Sequence, residues 1–208
     1  RDYHAALGEA AMLAEWDLND NGVLDPQDLI RKCSDDADDD GNGYIDDVSG
    51  WDFFLDDNDA HDDTDFGHGN GEARDSAAEG NDGRGDIGVC PNCTVIMMRV
   101  GDAFVTDSND FAQGVVLSVD SGASVIQSAL GTVNYTTFAR RAIDYAYANN
   151  VAVVASAADE LSYHHNYPGS GEHSIYVHAI QYDEPSTDRS TTFLNFNNCT
   201  NYGAHLHL

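Results

Sequence analysis

Asp62 to Gly80 reads DDTDFGHGNGEARDSAAEG, and the meaning of this stretch decides how the rest of the chain is read. One histidine, His68, stands between Gly67 and Gly69. Carboxylates precede it, and a helix-forming run, Glu72-Ala73-Arg74-Asp75-Ser76-Ala77-Ala78, follows. Small neighbours let a backbone or a substrate approach the imidazole closely. The following helix is expected to bury the base of the ring and hold it still. Taken alone, the same pattern also describes a solvated loop histidine, so its meaning rests on the order of the segments around it.

The chain has 208 residues, enough to bury a sizeable core in one domain or one and a part. Lys and Arg number 9 against 37 Asp and Glu, a formal net charge of -28. Like charges repel, so nucleic acid and anionic membrane surfaces are not expected partners. Either clustered carboxylates are neutralised by bound cations, or a saline medium favours an acidic surface. Clustering favours cations, because about half of the acidic residues fall between Glu15 and Asp65. No apolar run approaches the length of a membrane span. The chain starts at Arg1 and stops in mid-pattern at His207-Leu208, so we expect a piece of a longer protein with N- and C-terminal parts missing. The pairing of the 4 cysteines (Cys33, Cys90, Cys93, Cys199) stays open at this stage. An even cysteine count beside calcium-type loops points to a secreted or cell-envelope setting.

Residues 5–16, AALGEAAMLAEW, have helical spacing with Leu7, Ala10, Ala11 and Ala14 on one face. Asp17 to Asp28, DLNDNGVLDPQD, then resembles the EF-hand or dockerin-type calcium loop. Asp17, Asn19, Asn21, Asp25 and Asp28 supply oxygens at alternating positions, Val23 offers its backbone carbonyl, Gly22 permits the turn and Leu24 anchors it. The alternative is a plain acidic turn. A second loop, Asp38 to Asp47, repeats the pattern with Asp38, Asp40, Asn42, Tyr44 (through its carbonyl) and Asp46. Its closing position falls on Ser49, so Asp47 or a distant carboxylate has to substitute. Gly50-Trp51-Asp52-Phe53-Phe54 reads as a short strand with its aromatics in a core.

Beyond the histidine helix, Cys90-Pro91-Asn92-Cys93 precedes Thr94-Val95-Ile96-Met97-Met98-Arg99-Val100, an apolar run suited to a buried parallel strand. Zinc or redox chemistry at the CxxC competes with a structural, disulfide-linked turn, and the structural turn is preferred because the other cysteines are remote. Asp107 to Asp110 cap a helix through Phe111, Val115, Val116 and Val119. Residues 123–131 read as a strand and turn, 136–149 as an amphipathic helix, and 151–156 as another buried strand. This alternation predicts an α/β fold whose parallel sheet is covered on both faces. Functional loops then gather at the carboxyl ends of the strands, where Ala129-Leu130-Gly131 and Ala158-Asp159-Glu160 both lie.

In this order the segments resemble the subtilisin-like serine proteases, in the subgroup with an acidic insertion before the histidine. The resemblance rests on DDDGNGYIDD, GWDF, Gly67-His68-Gly69, Ala129-Leu130-Gly131, Ala158-Asp159-Glu160, Tyr167-Pro168-Gly169 with the strand at 173–177, and Thr191 to Phe196. It spans residues 35–208, leaving 1–34 as a helix and first calcium loop. It implies a three-layer subtilisin-like fold with a mainly parallel sheet, incomplete at one or both ends, and a calcium-binding serine endopeptidase acting on peptides. His68 would be the catalytic base, and Ala129, Leu130 and Gly131 would line the primary specificity pocket. Asp159 would stand at the oxyanion position.

The resemblance breaks in three places. No serine here lies in the family's Gly-Thr-Ser motif, so the nucleophile is expected beyond Leu208 and the chain alone is expected not to hydrolyse peptides. Asp20-Asn21-Gly22 is a candidate for the segment of the triad acid, the alternative being an Asp-Thr/Ser-Gly strand before Arg1. At Asp159 the family has Asn, whose amide donates to the oxyanion, whereas an ionised carboxylate only accepts. Asp159 could serve there in its protonated form, which burial and the oxyanion would favour. The rival to an active protease is a non-catalytic calcium-stabilised binding module on the same scaffold. A zinc hydrolase using His68, His164 or the CxxC lacks an assembled ligand set.

Overall fold

The structure is a computed structural model that describes residues 14–61, 67–81, 83, 85–103, 105–159, 162–163, 165–179 and 201. Two compact units result, Arg1–Arg99 and Val100–Leu208, each described here by itself. Of the helix expected over 5–16, residues 14–16 are helical and 5–13 lie outside the described residues.

In the first unit, helix α1 (Pro26–Cys33) starts where the sequence supplies a reciprocal cap. The Asp25 side chain accepts from the N–H groups of Gln27 and Asp28, and the Asp28 carboxylate accepts from the Asp25 N–H. Pro26 takes a position where no amide donor is needed, and Arg31 and Lys32 complement the dipole in the last turn. Strand β1 (Gly50–Asp52) pairs in parallel with β2 (Met97–Arg99), Gly50 opposite Met97 and Asp52 opposite Arg99. A Cβ on Gly50 would lie 1.8 Å from the Met97 carbonyl oxygen, so only glycine allows this approach.

Asp52 is completely buried, and its carboxylate decides where β1 ends. Oδ1 accepts from the Phe54 and Leu55 N–H groups at 2.7 and 3.0 Å, which turns the chain out of the strand. Oδ2 accepts from Arg99 Nη1 at 2.5 Å, so the pair locks β1 to β2. The strand expected over 50–54 therefore stops at Asp52. Phe54 is exposed, with the Arg99 guanidinium 5.4 Å from its ring centroid, instead of entering a core. Trp51 is buried, and Tyr44 from the second acidic loop packs 5.0 Å from it and 5.5 Å from Phe53. Helix α2 (His68–Ala77) is followed by a segment that folds back, Gly88, Val89 and Cys90 donating to the carbonyls of Ala78, Asp75 and Ser76. Cys90 and Cys93 form a disulfide across the next turn, as the structural reading of the CxxC expected. Cys33 is free and exposed, and Cys199 lies outside the described residues.

The second unit contains β3 (Val105–Thr106), α3 (Ser108–Asp120), β4 (Val125–Ser128), β5 (Gly131–Thr132), α4 (Thr137–Ala148), β6 (Ala152–Ser156) and β7 (Ser174–Val177). Asp107 caps α3 by accepting from the Asn109 N–H, and Thr136 caps α4 by accepting from the Ala139 N–H. β4, β6 and β7 form a parallel sheet in that order, with Ser128 opposite Ala155 and Ser156 opposite Val177. β3 and β5 form a separate parallel pair. Phe111, Val115 and Val119 of α3 meet Ala139, Ala142 and Ile143 of α4 and Val153 of β6 in one apolar core. Ile126 packs against that core, whereas Val125, Ile175 and Val177, on the alternate positions of their strands, are exposed. The sequence led us to expect cover on both faces; among the described residues the helical core lies against one.

The Asp52–Arg99 pair generates a direct expectation. Arg99→Met leaves a buried carboxylate with backbone donors alone and should lower unfolding free energy by about 3 kcal/mol. Asp52→Asn combined with Arg99→Met should recover part of that loss, both read from urea midpoints. A single-variant change below about 0.5 kcal/mol, the level of an exposed pair, would contradict this role.

Candidate active site

His68 is the first residue of α2, preceded by Gly67 in the left-handed conformation. Its side chain keeps 35% of its surface exposed, and Nε2 lies 3.6 Å from Glu72 Oε1, one turn along the helix. α2 has no fully buried residue, and the imidazole is half-buried at the helix start. The carboxylates before it, Asp62, Asp63 and Asp65, lie outside the described residues.

The two acidic loops share a set of equivalent hydrogen bonds. Asp17 accepts from the N–H groups of Asn21 and Gly22 at 3.0 and 2.8 Å, and Asp38 does the same for Asn42 and Gly43 at 3.1 and 2.9 Å. Asn19 and Asp40 each accept from the N–H of the fifth residue of their loop, Asn21 and Asn42. Asn21 and Asn42 in turn accept from the Val23 and Tyr44 N–H groups, both at 2.8 Å. Gly22 (φ 80) and Gly43 (φ 96) take equivalent left-handed turns that a side chain would strain. Asp20, the triad-acid candidate, is exposed within the first loop at φ 60.

The loops differ in how they close. Asp28 is buried, and its carboxylate accepts from Leu18, Asn19 and Asp25 N–H groups, drawing the ends of the first loop together. Asn21 donates to Asp25 in the first loop, and Asn42 donates to Asp47 in the second. Asp46 is turned to the Asp35 and Asp36 N–H groups instead. Partial burial raises the Asp25 carboxyl, but hydrogen bonds from Asn21, Asn19 and the Asp28 and Gln27 amides outweigh it and hold it below its ordinary value. Among the described residues, no group of three or more His, Cys, Asp or Glu side chains is gathered as a metal shell. The donor set is nonetheless hard, all oxygen, and spaced along loops whose backbone already turns inward, which fits calcium better than zinc.

In the second unit, Ala129-Leu130-Gly131 and Ala157-Ala158-Asp159 leave the carboxyl ends of adjacent parallel strands, β4 and β6. The Thr132 N–H donates to the Tyr167 carbonyl at 3.0 Å, and the Asn166 side chain lies 3.7 Å from where a Cβ on Gly131 would stand. Asp159 is exposed. Ala158 is held at φ 62, a conformation an L-residue adopts at a cost of about 1 kcal/mol and glycine adopts freely. The His165 ring meets Tyr163 edge to face at 5.6 Å and is tilted against Tyr176 at 6.0 Å; His164 and Glu160 lie outside the described residues.

Sequence reasoning missed the residues that tie this loop. Tyr176 is buried, and its hydroxyl accepts from the Asn166 N–H at 3.0 Å and donates to the Ala157 carbonyl at 3.4 Å. Asn201, also fully buried, donates its N–H to the Ala158 carbonyl at 3.0 Å and accepts from the Ser162 N–H at 3.1 Å. A signal for Asn201 exists: Asn201-Tyr202-Gly203 repeats the Asn-Tyr/Phe-Gly ending sought at Thr191 to Phe196. The latter segment lies outside the described residues.

The Subtilase family model matches residues 17–205. A thermophilic serine proteinase of Bacillus sp. (strain AK1) is 34% identical over 151 residues, 72% of this chain and 36% of that protein. Thermitase of Thermoactinomyces vulgaris is 30% identical over 145 residues, 69% of this chain and 51% of that protein. The crystal structure of fervidolysin from Fervidobacterium pennivorans, a keratinolytic enzyme related to subtilisin, shares 28% identity at a TM-score of 0.48, covering 54% of this chain and 18% of that one. This chain spans 36% and 51% of the lengths of the two proteinases named first. With nearly its whole length inside the family match, the chain belongs to the subtilase family.

Proposed function

We propose that this chain is the histidine-bearing, calcium-binding part of a secreted subtilisin-type serine endopeptidase whose nucleophilic serine lies in sequence outside it. The observation that carries the reading is His68, glycine-flanked and at the first position of α2, inside the span matched to the subtilases. In this reading His68 takes the serine proton during attack and returns it to the leaving amine. An extended peptide runs along Ala129, Leu130 and Gly131, and Asp159 faces the developing oxyanion. Residues 1–34 carry the first calcium loop ahead of a peptidase portion at 35–208. Asp17, Asn19, Asn21, Val23, Asp25 and Asp28 would hold one calcium ion, with Asp38, Asp40, Asn42, Tyr44 and Asp46 or Asp47 around a second. Bound calcium would neutralise part of the charge of -28 and fix the approach to the His68 segment. No helix among the described residues is long and apolar enough to cross a membrane.

Asp159 favours a second reading, a binding module that keeps the scaffold with impaired chemistry. An ionised carboxylate donates nothing to an oxyanion and repels it. Loss of one such donor costs about 3 kcal/mol in a subtilisin. The two readings separate on the behaviour of the full-length protein.

Titration calorimetry of the 208-residue chain should show calcium heat that Asp17→Ala reduces by one site and Asp38→Ala by another. Equal heats in all three proteins would remove calcium from the account. In the full-length protein, His68→Ala should lower peptide hydrolysis by more than about 10⁴-fold. Asp159→Asn should raise kcat at neutral pH by at least about tenfold, because its amide donates at every pH. A slower Asp159→Asn enzyme at every pH would show that the carboxylate has a positive role.

A further inference from the structure

We infer that Asn201 is a positioning residue, which holds the loop carrying Asp159 in the one conformation that presents that side chain to a substrate. The inference rests on the proposed place of Asp159 beside the oxyanion. Asp159 is exposed, and the backbone on either side of it supplies its orientation. Directly before it, Ala158 is in the left-handed region at φ 62, a state that an alanine leaves readily unless something retains it.

Four hydrogen bonds hold this stretch. The Ala158 N–H donates to Ser156 Oγ at 2.9 Å, and its carbonyl accepts from the Asn201 N–H at 3.0 Å. Beyond Asp159, the Ser162 N–H and hydroxyl donate to Asn201 Oδ1 at 3.1 and 3.3 Å. One residue thus grips the chain on both sides of Asp159, through its backbone on one side and its side chain on the other. Asn201 has no exposed surface, so water does not compete for these bonds. Tyr176 ties the outer ends of the same loop, at Ala157 and Asn166.

A leucine of similar size removes the side-chain acceptor while filling the space; an aspartate keeps an acceptor oxygen in place. In the 208-residue chain, Asn201→Leu should speed amide hydrogen exchange at Ser162 by about tenfold, the value of one buried hydrogen bond, and leave Val115 and Ile143 in the helical core unchanged. In the full-length protein carrying Asp159→Asn, where the held side chain donates to the oxyanion, it should lower kcat with little change in KM, and Asn201→Asp should restore most of both losses. Ser162→Pro deletes the donor from the other side with Asn201 intact, and should lower kcat in the same way even if Asn201→Leu does not fold. Unchanged exchange at Ser162, or acceleration spread equally through the core, overturns the assignment and leaves Asn201 a structural residue. Exchange confined to Ser162 with kcat indifferent to both Asp159→Asn and Asp159→Ala overturns instead the reading of Asp159, and with it the catalytic part of the inference.

Discussion

Every strand pairing among the described residues is parallel, and that constraint arranges the rest. A strand can return beside its predecessor in the same direction only after a crossover, which here is α4 between β4 and β6. Parallel order also sends the chain out of the sheet at one edge after every strand. The segments 129–131 and 157–159 are therefore neighbours by topology, although they are distant in sequence. Such an edge collects side chains from separate segments without burying them in the core, which leaves them free for chemistry. The same logic acts on a smaller scale in β1 and β2, where parallel register sets Asp52 opposite Arg99 and lets the pair hold the strands.

The acidity of the chain has a local use that can be followed bond by bond. In both acidic loops the carboxylates and amides accept from backbone N–H groups of their own loop, so each turn is shaped by the residues proposed as ligands. This arrangement concentrates negative charge beyond what cations offset: Arg31 donates to the Leu18 carbonyl of the first loop at 3.0 Å, but the chain has only 9 basic residues against 37 acidic ones. A hard divalent cation is the partner that such oxygen-rich turns suit best. The proposal of bound calcium thus joins charge, spacing and loop geometry in one physical explanation.

Much of the second unit was legible from pattern alone. The run at 151–156 and the capped helices starting after Asp107 and Thr136 have local causes, period and side-chain caps, and the structure has all three. The ends of β1 and β2 were less legible, because Asp52 stops the strand through a carboxylate whose role depends on Arg99, far along the chain. His68 was visible as a motif, but its partial exposure and the Glu72 carboxylate one turn along follow from its place on α2, which the motif does not state. Asn201 was missed for a similar reason: its partners lie about 40 residues earlier, and no local rule links a buried amide to a loop that distant. Contacts of this kind are fixed by tertiary packing and leave only faint traces in sequence.

In the function proposed above, His68 activates a serine in the full-length protein. A fluorophosphonate probe reacts with such a serine without needing the oxyanion site to release product, so it reports on the nucleophile and its base rather than on turnover. The account predicts one phosphonyl group bound per wild-type molecule, measured by intact mass, and almost none in the His68→Ala variant under the same exposure. A wild-type protein that remains unlabelled, or a variant labelled as fast as the wild type, would contradict it.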